Sequence, residues 1–150
     1  MQIDFSSFDQ LLEGVQILNK ELVYEYINQS ASNQANKAKS DLIGKKYIEA
    51  HPGIEKSAFY QHLLECLEAQ SERIVILEFQ LSDGSPAFYD LCIRPFSQGL
   101  IILSVDITKQ KLLEKELHSL NKRFEEELLE RTKNMVVQLE KELMTNKKSN

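Results

Sequence analysis

The sequence predicts an α+β fold: a five-stranded antiparallel sheet with helices on one face, a short N-terminal helix before it and a long coiled-coil helix after it. Three observations carry that expectation. Residues 14–27 and 73–108 read as extended segments joined by tight polar turns, which marks hairpins and antiparallel pairing. Between them, Tyr47 to Gln70 has helical periodicity. After Thr108 the period changes: Leu113, Leu117, Leu120, Phe124 and Leu128 recur at steps of three and four, with Lys and Glu between them.

Composition bounds the rest. A chain of 150 residues with 42% hydrophobic content supports one core plus an extension. Four segments follow: an amphipathic helix over 1–13, a domain over 14–108, a coiled-coil helix over 109–144 and a polar tail over 145–150. Residues 1–108 hold eight Lys/Arg against fifteen Asp/Glu, so nucleic acid is not an expected partner. Cys66 and Cys92 sit in apolar runs without metal-ligand spacing and read as small core residues in a reducing compartment. No apolar run approaches a membrane span, and Asp4 and Asp9 stand where a leader would be basic, so the expected location is cytoplasmic, without membrane insertion.

Taking the chain in order, Ile3, Phe5, Phe8, Leu11 and Leu12 have roughly helical spacing, with Ser6 and Ser7 available as a cap. Residues 14–18, the polar turn 19–21 and residues 22–27 form a hairpin. The stretch from Asn28 to Lys46 is polar, with Ser40-Asp41 as a cap and Gly44 as a stop, and reads as short helical turns. His51-Pro52-Gly53 interrupts the helical region, beyond which Phe59, Leu63, Cys66 and Leu67 share one face. Residues 73–81 and 88–96 are strands around the turn 82–86. The last strand, Leu100-Ile101-Ile102-Leu103-Ser104-Val105, has five of six residues Leu, Ile or Val, the composition of a strand covered on both faces. It runs into the charged helix without Gly or Pro, so strand and helix are mechanically coupled.

Four pieces in this order resemble a PAS domain of the bacterial sensor histidine kinase type, over roughly residues 8–108. Tyr26-Ile27-Asn28, followed by small residues, matches the second-strand signature, and Asp41-Leu42-Ile43-Gly44-Lys45 the step before the central helices. His51-Pro52-Gly53-Ile54-Glu55 matches a subgroup motif in which Phe stands where this chain has His51, and Asp106-Ile107-Thr108 is the family's exit from strand to helix. The resemblance implies a PAS fold and a signal-transmission role for Asp106, Ile107 and Thr108. It also implies a ligand cavity between sheet and helices, lined by the inner face of the last three strands and by Asn28, Tyr47, Phe59, His62 and Ser104. Ser104 is the polar residue on an apolar strand face and needs a partner there, whether ligand, backbone or water.

The tail extends the resemblance. Leu128-Leu129-Glu130-Arg131-Thr132 and Leu139-Glu140-Lys141-Glu142-Leu143 look like the connector that leads from PAS domains to a kinase or other output domain. Leu113, Leu117, Leu120, Phe124 and Leu128 are the candidate dimerisation residues of a parallel coiled coil. Steps of four from Phe124 to Leu128, Thr132 and Val136 resemble a stutter, which locally unwinds a supercoil.

Little chemistry is written in the chain. No nucleotide loop, metal-ligand cluster or nucleophile elbow occurs, so neither a catalytic residue nor a metal is expected. His118 lacks the setting of a phosphoacceptor, and the flavin photosensor motif is missing. His62 lies on the helix that carries the haem ligand in haem-binding relatives, but without a recognisable signature. Neither flavin nor haem is expected, and the cofactor is unknown. The expected function is a sensory and dimerisation module, not itself an enzyme, that transmits through a homodimeric coiled coil to an output domain, a histidine kinase, outside this chain. The competing expectation is a ligand-free structural dimerisation element. A polar group converging with aromatics on a cavity favours the first, and a filled interior the second.

Overall fold

The computed structural model describes residues 4–148. The sheet comprises β1 (Gly14–Leu18), β2 (Tyr24–Ile27), β3 (Arg73–Gln80), β4 (Pro86–Phe96) and β5 (Gly99–Asp106). They lie in the order β2-β1-β5-β4-β3, every neighbouring pair antiparallel. The last strand therefore takes the centre, beside its hairpin partner β4 on one edge and β1 on the other. On β5, Leu100, Ile102 and Ser104 are buried against α1 (Gln29–Ala35), α2 (Lys39–Leu42), α3 (Tyr47–Ala50) and α4 (Ala58–Ala69) or the residues between them. The alternate residues Ile101 and Leu103 are only half-buried and Val105 is 44% exposed, so within the single chain the second face of the strand is partly open. Helices occupy one side of the sheet alone.

The N-terminal segment departs from its expected helix. It holds a single 3-10 turn, Ser6–Gln10, closed by the Leu11 N–H on the Phe8 carbonyl, and Asn28 Nδ2 ties the segment down by donating to the carbonyls of Phe8 and Glu13. Phe5 and Phe8 pack against Tyr26, with ring centroids 5.3 and 6.3 Å away, and Phe5 also meets Phe96. Leu11 and Leu12 stay 40% and 91% exposed in the single chain. Ile3 lies outside the described residues. Three smaller differences have local causes. Strand β2 begins at Tyr24, since Leu22 sits at φ 58 in the turn. Ser40 and Asp41 lie inside α2 and do not cap it. Cys92 points to the outer face and is half-buried, whereas Cys66 is in the core.

The chain divides into two units between Thr108 and Lys109. The second is one helix, α5, which runs over Thr108–Lys148 for 41 residues, about 60 Å at the usual rise. Residues 145–148, expected as tail, are helical; the last two residues are outside the described ones. None of its described residues is buried in the single chain, and Leu113, Leu117, Leu120, Phe124 and Leu128 are 47–61% exposed. At the expected stutter Thr132 Oγ1 donates to the Leu128 carbonyl at 2.8 Å.

Two buried polar groups position the domain's parts. Asn28, fully buried, caps α1 and uses its whole hydrogen-bonding capacity. Its Oδ1 accepts from the N–H of Val15 and of Ala31, both at 2.9 Å, and its Nδ2 donates to the Phe8 and Glu13 carbonyls. Tyr24 joins sheet to helices: its Oη lies 2.8 Å from Gln16 Oε1 and 2.8 Å from His51 Nε2, and its ring stacks on Tyr47 at 5.5 Å. Burial pushes the Tyr24 phenol well above its usual range, and it remains protonated. Donating to Gln16, Tyr24 accepts from the Nε2–H of a neutral His51. Burial, then the charge of Lys37, lowers the His51 pKa to about 4.

Replacing Asn28 by Ala takes the partner from the Val15 and Ala31 N–H groups and the Glu13 carbonyl, leaves the Phe8 carbonyl with Leu11 alone, and is expected to cost about 2–4 kcal/mol in urea unfolding. A loss within error would show that water replaces the amide freely. His51 carries a pH signature. The unfolded chain takes up a proton at this residue near pH 6.5 and the folded chain only near pH 4, so stability falls as pH drops through that window. The melting temperature of His51→Gln is expected to decline less steeply than wild type from pH 7 to 4.5; parallel slopes would refute a neutral, half-buried His51.

Candidate functional site

A cavity of about 730 Å³ opens between the inner sheet face and the helices. Its sheet wall is Leu77 and Phe79 of β3, Tyr89 and Leu91 of β4, Ser104 of β5 and Gln16 of β1; its helical wall includes Gln34, Tyr47, His51 and Phe59. Each is placed by local chemistry. Asn28 starts α1 and so aims Gln34 at β5. The α3 turn, closed by a bond from the Lys46 N–H to the Glu49 carboxylate, holds Tyr47 in the core. Ser57 caps α4 by accepting the Tyr60 N–H at 3.2 Å, which fixes Phe59 6.0 Å from the Tyr47 ring. Exposed residues at the end of β3 and in the following turn, Gln80 to Asp83, form the rim.

Of the residues expected here, Tyr47, Phe59 and Ser104 line the cavity and Asn28 and His62 do not. Asn28 is spent on backbone partners. His62 lies on α4 with a third of its side chain exposed; its Nδ1 makes no hydrogen bond, and Glu65 is 3.8 Å away. Ser104 finds a side-chain partner: its Oγ donates to Gln34 Oε1 at 2.5 Å. The lining also takes in Gln34, Gln16 and His51, which the sequence does not mark as site residues. Gln34 carries no signal in a stretch filled with polar residues, Gln16 is a single polar residue in the apolar run 14–18, and His51 closes α3 as its C-cap.

The strand-to-helix junction abuts the same strands. Asp106 Oδ1 accepts from the Thr108 N–H at 2.9 Å and from Thr108 Oγ1 at 2.6 Å, while Thr108 Oγ1 also accepts the Phe88 N–H at 2.9 Å. The Ile107 N–H donates to the Phe88 carbonyl. The first residue of α5 is thus hooked to both β4 and β5. In that register Tyr89 faces Asp106 and Leu91 faces Ser104, so cavity wall and junction are two residues apart on two paired strands. Among the described residues no cluster of His, Cys, Asp or Glu could hold a metal, and no helix is long and apolar enough to cross a membrane.

Comparison with known proteins fits this geometry. A family model described as PAS fold matches residues 8–112. No curated protein matches by sequence. Among solved structures, the chain is similar to the PAS domain of a Colwellia psychrerythraea protein, at 15% identity and TM-score 0.56 over 69% of this chain and 93% of that one. It is similar to the Photoactive Yellow Protein domain of the sensor histidine kinase Ppr from Rhodospirillum centenum, at 14% identity and TM-score 0.52 over 69% and 93%. A third is the Vibrio cholerae VqmA dimer in the absence of target DNA, described with LuxR-type receptors; identity is 21% and TM-score 0.58 over 73% of this chain, which spans about half (53%) of that one. These identities speak for the fold. Since the matched residues take in the whole sheet, the helices over it, the cavity and the junction, the chain belongs to the PAS-fold family.

Proposed function

We propose that this chain senses a small molecule in its cavity and relays occupancy through α5, paired with the same helix of a second copy, to an output domain. PAS domains are regulatory modules, and the family membership supports signalling without catalysis. The observation that carries the finer reading is the shared register: Leu91 and Ser104 line the cavity, and Tyr89 and Asp106, the next pair on the same face, lead into Thr108. A shift of β4 against β5 on binding acts directly on the hydrogen bonds that hold the start of the helix. An interior open to about 730 Å³, with Ser104 and Gln34 among aromatic rings, favours sensing over a filled dimerisation element. The exposed stripe from Leu113 to Leu128 supports a coiled-coil homodimer. The connector-like pattern over 128–143 supports a histidine kinase as output, in a cytoplasmic setting.

Sedimentation of the whole chain is expected to give a dimer, and Leu120→Asp with Phe124→Asp a monomer or a far weaker dimer; an unchanged dimer would move the interface off the helix. The relay is tested in a fusion to a kinase output. Ala35→Phe, at the cavity wall, stands in for occupancy and is expected to change autophosphorylation several-fold. Adding Asp106→Ala is expected to erase that difference while lowering the melting temperature by only a few degrees, since a lost cap costs about 0.5–2 kcal/mol. Equal autophosphorylation in filled and unfilled fusions would overturn the relay.

A further inference from the structure

The polar groups of the cavity are almost all uncharged. Gln16, Asn33, Gln34, Asn36, His51 and Ser104 line it; among its described lining residues there is no Lys, Arg or Glu. Its one carboxylate, Asp83, is on the exposed turn, where an oxygen already accepts from the Ser85 N–H and Oγ. Lys37, whose charge acts on His51, is outside the lining and donates to the Ala50 carbonyl. His51 itself stays neutral at pH 7. An anionic ligand in this interior would lose hydration and meet no counter-charge, and a cationic one would find only Asp83, already hydrogen-bonded on the exposed turn.

Within this neutral lining the Ser104–Gln34 pair is set apart. Ser104 is 2% exposed, and its hydroxyl proton goes to Gln34 Oε1, which leaves lone pairs on Oγ free to accept. Gln34 Nε2 reaches only the Ser104 carbonyl, at 3.4 Å, and keeps a second N–H free to donate. The pair therefore offers an acceptor beside a donor. Room for it comes from Gly14, directly opposite Ser104 on β1, where an added Cβ would collide with Ser104 Oγ and with Gln34 Oε1. Aromatic surfaces stand on both walls, Tyr47 and Phe59 on the helical side and Phe79 and Tyr89, 5.6 Å apart, on the sheet.

We propose that the ligand is an uncharged ring compound bearing a carboxamide-like edge, with N–H and C=O side by side, read by Ser104 and Gln34 while its ring packs among these aromatics. The inference rests on the sensory reading and names the ligand class of that same cavity. Gly14, Ser104 and Gln34 set the specificity; the aromatic walls supply affinity without discriminating charge.

The test uses four compounds of similar shape on the whole chain, followed by amide NMR shifts of cavity residues: benzamide, benzoate, benzamidine and toluene. Benzamide is expected to shift Gln34, Leu91 and Ser104 at millimolar concentration, with benzoate and benzamidine at least about tenfold weaker. Gln34→Leu, at a half-exposed helical position, is expected to weaken benzamide about tenfold and leave toluene unchanged. Gly14→Ala should do the same; if it fails to fold, Gln34→Leu alone decides. Benzoate or benzamidine binding as well as benzamide, or benzamide indifferent to Gln34→Leu, would overturn the ligand class yet leave a binding cavity. No shift at any cavity residue with any of the four would overturn both the class and the sensory reading.

Discussion

One buried side-chain amide holds the domain's first half together. Asn28 stands where β2 ends and α1 begins, and its four hydrogen bonds tie α1 to β1 and both to the N-terminal segment. Its backbone adds two more ties, the N–H to the Val15 carbonyl and the carbonyl to the Ser32 N–H. A fully satisfied amide in an apolar interior is directional in a way that packing is not. Rotating α1 by one residue would break both acceptor bonds at once. Because α1 cannot rotate, Gln34 is delivered beside Ser104, and the polar part of the cavity exists as a consequence of a residue that does not touch it.

The second constraint is economy of strands. Strand β5 is central, so whatever lines the cavity on β4 and β5 also borders the exit to α5. Tyr24 and His51 give the opposite wall a comparable stiffness: the Gln16–Tyr24–His51 chain crosses from β1 through β2 to the end of α3, with Tyr47 stacked on it. One wall is anchored by hydrogen bonds from sheet to helix, while β3 and its turn at the far rim have exposed ends. The exposed strand β3 pairs with β4, and β4 is joined through Phe88 to Thr108, so the less anchored rim and the start of α5 share one strand.

Periodicity made the sheet, the interrupted helices and α5 legible, since burial of one face leaves an alternation or a stripe that composition alone can carry. The four ordered motifs did the same for the family. Long-range polar pairing was not legible. Gln34 and Ser104 are 70 residues apart, and nothing in either neighbourhood distinguishes a glutamine that reaches a buried hydroxyl from one in water. A polar residue after a strand reads equally as a ligand contact or a helix cap, and the side chain of Asn28 is taken up by four backbone partners, among them the Ala31 N–H of the helix it caps. The N-terminal segment misled through apolar spacing, because Phe8 and Leu11 fit a helix by period while their carbonyls are claimed by Asn28 and Ser30 from elsewhere.

The two edges of the sheet are finished differently. At β2 the edge is four residues long, kinked where Glu25 is left over between the pairs Ile17–Tyr26 and Leu18–Tyr24, and partly closed by the bridge from Val23 to Lys46. At β3 it is eight residues of regular strand whose outer side shows Ile74 and Ile76, 68% and 53% exposed. A long, straight, apolar edge is a template for further strands, whereas a short, kinked one is not. Charges at Arg73 and Glu78 bracket the two isoleucines and act as gatekeepers against that growth. The domain's route to aggregation therefore runs through β3, and crowding or heat will be felt there before it is felt at the opposite edge.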